Sequence, residues 1–278
     1  MQIVDSQIHI WGANTPERPW PANHHDPHRP IPYSLADLIP EMNDAGVHRT
    51  VLVPPSWEGF RNDLALEAAR LHPDRFGVMG QMDTVAPESR GLIAGWRQQP
   101  GMLGLRLTFT RPHVRPIISE GLADWLWKDA EEAGVPIMIL IDWEQIDTFD
   151  KIVERHPGLK FVLDHLCIPA RLKDEAAFEG LDKVLSMAKR PNVAVKATAF
   201  PRYSTEDFPY SNLHPYLRRV YDAFGPKRLF WGTDLTSLPC NYAQAVAMFM
   251  EHIPWLTEED KSWIMGRAVC EWLEWPLE

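Results

Sequence analysis

The chain has 278 residues, 45% apolar and 24% charged, with a formal charge of -10. A globular chain of this size buries about 75% of its unfolded surface, so its core needs no metal or disulfide staple. The net negative charge opposes non-specific attachment to nucleic acid or anionic membranes.

Eight strand-like runs follow one another at roughly 2–9, 48–54, 76–82, 102–108, 135–141, 159–164, 192–198 and 228–233. Helical segments are expected between them at 34–45, 60–72, 87–98, 119–133, 144–156, 174–189, 212–224 and 241–252, and one or two more over 257–273. Helix stops recur in front of strands, as in Ala45-Gly-Val, Ala133-Gly-Val and His156-Pro-Gly-Leu. Glycine supplies the permissive conformation just past a helix, and proline prevents propagation. The alternation has no linker-like break. It predicts one domain over 1–278, an α/β fold of the (β/α)8 TIM-barrel type, regular or distorted, with an extra C-terminal helix.

Two connections are unusually long. Residues 11–33 contain Trp11, Trp20, His24, His25 and His28, and residues 198–213 with their flank contain Arg202, Tyr203, Tyr210 and His214. Long irregular connections in compact domains often serve active sites. Trp11, Trp20, Trp57 and Trp143 fall in or beside such loops and could line an organic-ligand pocket. Cys167, Cys240 and Cys270 form no C-x-x-C pair and read as free thiols. No run of 18 apolar residues could span a bilayer, and no basic segment leads into an apolar secretory run. The expected location is cytoplasmic.

Polar residues interrupt the apolar strands at their C-terminal ends. Gln7 and His9 end the first, Arg106 the fourth, and His165 follows Asp164 after the sixth. Lys196 lies in the seventh, and Asp234 follows the eighth. Strands covered on both faces should be nearly all apolar, so ionisable groups recurring at this end point to a barrel mouth that carries chemistry. Asp5, Gln7 and His9 should share one side of an extended strand. His9 can bind a metal, orient a carbonyl or satisfy the core. His165 can ligate a metal or polarise a carbonyl. Asp234 is the strongest candidate for general base. Asp164 needs a buried donor. Lys196 either stabilises an anionic oxygen or pairs with Asp164 or Asp234. Arg106, Arg111 and Arg202 match carboxylates through paired hydrogen bonds, and Ser56, Thr108, Trp143, Asn241 and Tyr242 are secondary pocket candidates. Phosphate loops, dinucleotide fingerprints and nucleophile elbows are absent.

Taken together, Val4-Asp-Ser-Gln-Ile-His-Ile-Trp, Gly104-Leu-Arg, Val162-Leu-Asp-His-Leu, Asn192-Val-Ala-Val-Lys and Gly232-Thr-Asp resemble the amidohydrolase-related family. The resemblance covers almost the whole chain and is nearest to the lactonase-like branch of sugar-acid lactonases and 2-pyrone-4,6-dicarboxylate lactonase. It carries His9 onto the second histidine of the first-strand motif, His165 onto a later strand histidine and Asp234 onto the final-strand aspartate. Gln7 departs from the usual first histidine, which is compatible with metal-independent lactonases. The resemblance implies a hydrolase that opens a lactone or related cyclic ester, with Asp234, His165, His9 and Lys196 catalytic. Arg106, Gln7, Trp143, Ser56, Arg111, Arg202 and Tyr242 would bind a small carboxylated or polyhydroxylated molecule. It implies either no required cofactor or one divalent cation, zinc or manganese, held by His9, His165 and Asp234. A metal-dependent decarboxylase of an unsaturated or aromatic acid, an amide hydrolase and a non-enzymatic organic-acid binder are the alternatives. A homodimer is compatible with this reading; nucleic-acid and membrane partners are not expected.

Overall fold

Apolar character on both faces is the condition for a strand sandwiched inside a barrel, and the eight runs that meet it all form strands. They are β1 (Val4–Ile8), β2 (Arg49–Leu52), β3 (Phe76–Gly80), β4 (Met102–Thr108), β5 (Ile137–Leu140), β6 (Phe161–Leu163), β7 (Val193–Thr198) and β8 (Leu229–Gly232). The computed structural model describes residues 1–277. The strands pair in parallel in chain order, and intervening helices such as Leu35–Asp44, Ile146–Arg155 and His214–Phe224 cover the outside. This is a (β/α)8 barrel.

Two apolar layers hold it. Outward-facing strand residues such as Leu105, Phe161 and Leu163 pack on Leu126, Trp127 and Phe149 of the surrounding helices. Inside, Val4, Val51, Met79, Met138, Val162 and Phe230 form a separate cluster with Val269, Leu273 and Trp275. The C-terminal segment Trp263–Arg267 and the helix Ala268–Leu273 therefore cover the N-terminal end of the barrel. The Arg49 guanidinium stacks 3.7 Å above the Trp275 ring and fastens this cover to the start of β2.

The β8–β1 seam is closed largely by side chains. Asp234 N–H donates to the Gln7 carbonyl at 2.9 Å. The Asp5 carboxylate accepts from the Gln7 and Thr233 amides at 2.9 Å each, from Thr233 Oγ1 at 2.5 Å and from Tyr242 OH at 2.9 Å. Gly232 is needed here, since a Cβ at that position would lie 2.5 Å from Ser6 Oγ. Asp5→Ala would leave these donors buried without an acceptor, each costing about 1–3 kcal/mol. Urea denaturation is expected to show a loss of at least about 3 kcal/mol; an unchanged midpoint would show that the seam closes without Asp5.

Several expectations change. The alternation in β1 is interrupted by a register shift between Asp5 and Ile8, so Asp5 enters the seam while Gln7 reaches Lys196 and His165. The helix expected over 87–98 is two short 3₁₀ segments, Pro87–Ser89 and Ile93–Gln98, separated around Gly91 at φ +88°. The helix expected over 119–133 begins only at Asp124. The one expected over 174–189 is broken at Gly180, where a Cβ would lie 2.1 Å from the Trp143 ring.

Candidate active site

A cavity of about 700 Å³ opens at the C-terminal ends of the strands. His9, Ser56, Arg106, His165, Arg202 and Asp234 all line it, although they come from chain segments far apart. The backbone turns sharply as two strands end. His165, Leu166 and Cys167 have φ of 50°, 51° and 54°, and Asp234 has φ of 51°. Non-glycine residues held in the left-handed region cluster at functional sites, where the surrounding fold over-determines them.

Asp234 sits at the centre. Its Oδ1 lies 3.2 Å from His9 Nε2 and 4.0 Å from His28 Nδ1, and Ser237 Oγ donates to its Oδ2 at 2.9 Å. Burial drives the Asp234 carboxyl upward, but the His28, His9 and His165 imidazoles outweigh it and hold the group well below the usual carboxylate range. Burial also lowers His28 and His165 to about 4, so both are neutral at pH 7. His9 Nδ1 is 2.6 Å from the Val53 carbonyl. A carbonyl only accepts, so Nδ1 carries a proton, and Nε2 is the ring atom that faces Asp234. No donor is aligned on Asp234 Oδ1 among the described residues.

The cavity floor is a buried polar network. Lys196 Nζ contacts Asp164 Oδ1 at 2.8 Å, Arg106 Nε contacts Asp164 Oδ2 at 3.1 Å, and Arg106 also donates to Thr108 Oγ1. Burial opposes charge on Asp164, yet Lys196 and Arg106 keep its carboxyl below the ordinary range. Lys196 is fully buried and also donates to Gln7 Oε1 at 2.5 Å. It is thus paired with Asp164 and lies beneath the cavity.

The long 11–33 connection forms one wall. It supplies His25, Asp26 and His28, with the His28 ring 4.9 Å from the Trp57 ring and Nδ1 2.9 Å from Thr236 Oγ1. Arg115, Asp142, Arg171 and Tyr203 complete the cavity from other strand-end loops. The sequence marks the His-rich loop and Tyr203, but nothing in it singles out His28, Arg115, Asp142 or Arg171. The available signal was their position after strands, which they share with many ordinary loop residues. Several candidates are placed differently: Gln7 and Lys196 belong to the floor, Thr108 holds Arg106, and Asn241 caps the helix Tyr242–Glu251. Trp143 packs against Gly180, Tyr242 supports Asp5 in the seam, and Arg111 lies outside the cavity lining while acting electrostatically on His25.

The family model described as "Amidohydrolase" matches residues 4–268. The chain belongs to the amidohydrolase family. This amidohydrolase is 28% identical over 251 residues, 83% of the chain and 79% of the relative, to an L-fucono-1,5-lactonase from Burkholderia ambifaria. Its fold is similar to that of a zinc-bound amidohydrolase from Burkholderia multivorans, with TM-score 0.82, 21% identity, and 99% and 100% of the two chains covered. A structure from Pseudomonas putida described as a candidate 2-pyrone-4,6-dicarboxylic acid hydrolase has TM-score 0.79 and 20% identity, with 100% of this chain and 99% of that chain covered.

The donor set of this amidohydrolase does not fit a resident divalent cation. His9 Nε2 and Asp234 Oδ1 face one another, but His165 Nε2 is engaged by the Gln7 amide nitrogen at 3.1 Å. The Lys196 ammonium lies on the other end of the same amide. No group of three His, Cys, Asp or Glu side chains among the described residues is arranged to hold a metal ion.

Proposed function

We propose that the protein is a lactonase that opens a carboxylated lactone by water attack on the ring carbonyl, with Asp234 as general base. The observation carrying this reading is the Asp234 Oδ1 atom, ionised, buried and without an aligned protein donor, 3.2 Å from His9 Nε2. A water beside His9 Nε2 that donates a proton to Asp234 Oδ1 is thereby oriented for attack. Its oxygen bonds to the acyl carbon while one proton passes to Asp234, giving a tetrahedral oxyanion. The acyl–oxygen ring bond then breaks, and the departing ring oxygen takes the proton from Asp234. The product is the open hydroxy acid.

Arg106 supplies the charge for the oxyanion. Two of its nitrogens are held by Asp164 and Thr108, and its guanidinium faces the cavity. Preorganised donors at a developing oxyanion avoid reorganisation during reaction. Arg202 and Arg171 line the outer cavity, and neither guanidinium has a carboxylate partner among the described residues. In a chain of charge -10, two unpaired arginines at a mouth suit a substrate carboxylate. His165 and Lys196 act through the floor rather than by touching substrate. The lactonase relative supports ring opening as the reaction class, and the cavity arginines support an acidic substituent.

The test is proton release and carbon dioxide release followed separately on metal-depleted protein, using lactones with no, one or two carboxylates. Ring opening without carbon dioxide is expected, with kcat/KM about 10-fold or more higher for the carboxylated compounds. Because His28 and His165 titrate near 4 and Asp234 lower still, none of these three groups should impose a limb on kcat/KM between about pH 5.5 and 8. Carbon dioxide release, or turnover only after zinc is restored, would refute this reading.

A further inference from the structure

We propose that Gln7 is a positioning residue that locks His165 in its Nδ1–H tautomer and takes up the lone pair a metal ion would need. The inference follows from hydrogen-bond polarity in the barrel floor and does not depend on the lactonase reading. An ammonium group has only protons to offer, so the Gln7 atom 2.5 Å from Lys196 Nζ is the amide oxygen. The amide nitrogen is then the atom 3.1 Å from His165 Nε2. An amide nitrogen only donates, so Nε2 accepts and carries no proton. The ring proton must reside on Nδ1, which lies 2.7 Å from Thr198 Oγ1 and 3.4 Å from the Thr198 carbonyl.

The chain of donors runs one way, from Lys196 through Gln7 and His165 to Thr198, and it starts at a buried ammonium whose Asp164 contact is 2.8 Å long. Reversing the amide would place its NH₂ group against the ammonium, donor facing donor. The buried surroundings make such unpaired contacts costly. His165 therefore presents a fixed, neutral ring to the cavity, with both nitrogens committed. A divalent cation could use His165 only by displacing the Gln7 amide, which would leave Lys196 with one acceptor fewer.

The test is long-range proton–nitrogen NMR of the histidine rings in 15N-histidine-labelled full-length protein, with His165→Gln used to assign the ring. Wild type should show a protonated Nδ1 and a bare Nε2 at His165. In Gln7→Glu the new side chain can only accept from both neighbours, so His165 should switch to the Nε2–H form. A merely space-filling Gln7 would not move the tautomer. Wild-type protein dialysed against zinc should in parallel retain substoichiometric metal. An Nε2–H ring in wild type, an unchanged ring in Gln7→Glu, or one zinc per wild-type chain would overturn the inference. If Gln7→Glu fails to fold, the wild-type spectrum and zinc content decide it alone.

Discussion

Asp234→Asn is expected to fold and to lose about 10²–10⁴-fold in kcat for lactone opening, the usual contribution of a positioned base. The carboxamide is nearly the same size, and the Asp234 backbone contacts to Gln7 and Ser237 do not depend on charge. What disappears is the ionised Oδ1 that faces His9 at 3.2 Å. An amide oxygen is too weak a base to accept the water proton, and an amide nitrogen cannot accept it at all. A far-ultraviolet spectrum and melting curve matching wild type would separate this loss from misfolding. Wild-type turnover by the folded variant would remove Asp234 from the proposed role.

Lys196→Met is expected to have a large effect on stability. Lys196 and Asp164 are both fully buried, and removing one member of such a pair strands the other charge at about 3–5 kcal/mol. Arg106 remains on Asp164 Oδ2, which places the expected loss toward the lower end. Adding Asp164→Asn should recover part of it, because the stranded charge is then absent. The acid response gives a second check. The Asp164 carboxyl is held below its unfolded value, so its contribution is present above about pH 4 and lost as pH falls through the folded value. Urea midpoints should show this acid-induced loss in wild type and a weaker one in the double variant. Equal midpoints for wild type and Lys196→Met would contradict the buried-pair account.

The barrel was legible because its signal is repeated. Each of the eight apolar runs formed a strand, and Asp164 found the buried partners its position demanded. What escaped were features set by neighbours distant in sequence. Gly180 lies between the helices Asp174–Ala177 and Leu181–Ser186, where a Cβ would meet the Trp143 ring, and nothing local to residues 174–189 encodes that approach. Asp5 looked like a partner of Gln7 and His9 by strand parity, but a register shift sends it into the seam with Thr233 and Tyr242. In the site, strand-end position exposed His9, Arg106, His165 and Asp234, since a charge after an apolar run is conspicuous. His28 gave a weaker signal, because a histidine in a polar loop acquires meaning only when the loop folds over Asp234.

The most direct measurement of the central claim is one turnover of a carboxylated lactone in water enriched in 18O, with mass analysis of both product and protein. Attack by a water that Asp234 deprotonates places one heavy oxygen in the newly formed carboxylate of the product and none in the peptide containing Asp234. Heavy oxygen in that peptide with unlabelled product would mean that Asp234 attacks the ring itself, and the account given for the site would be wrong.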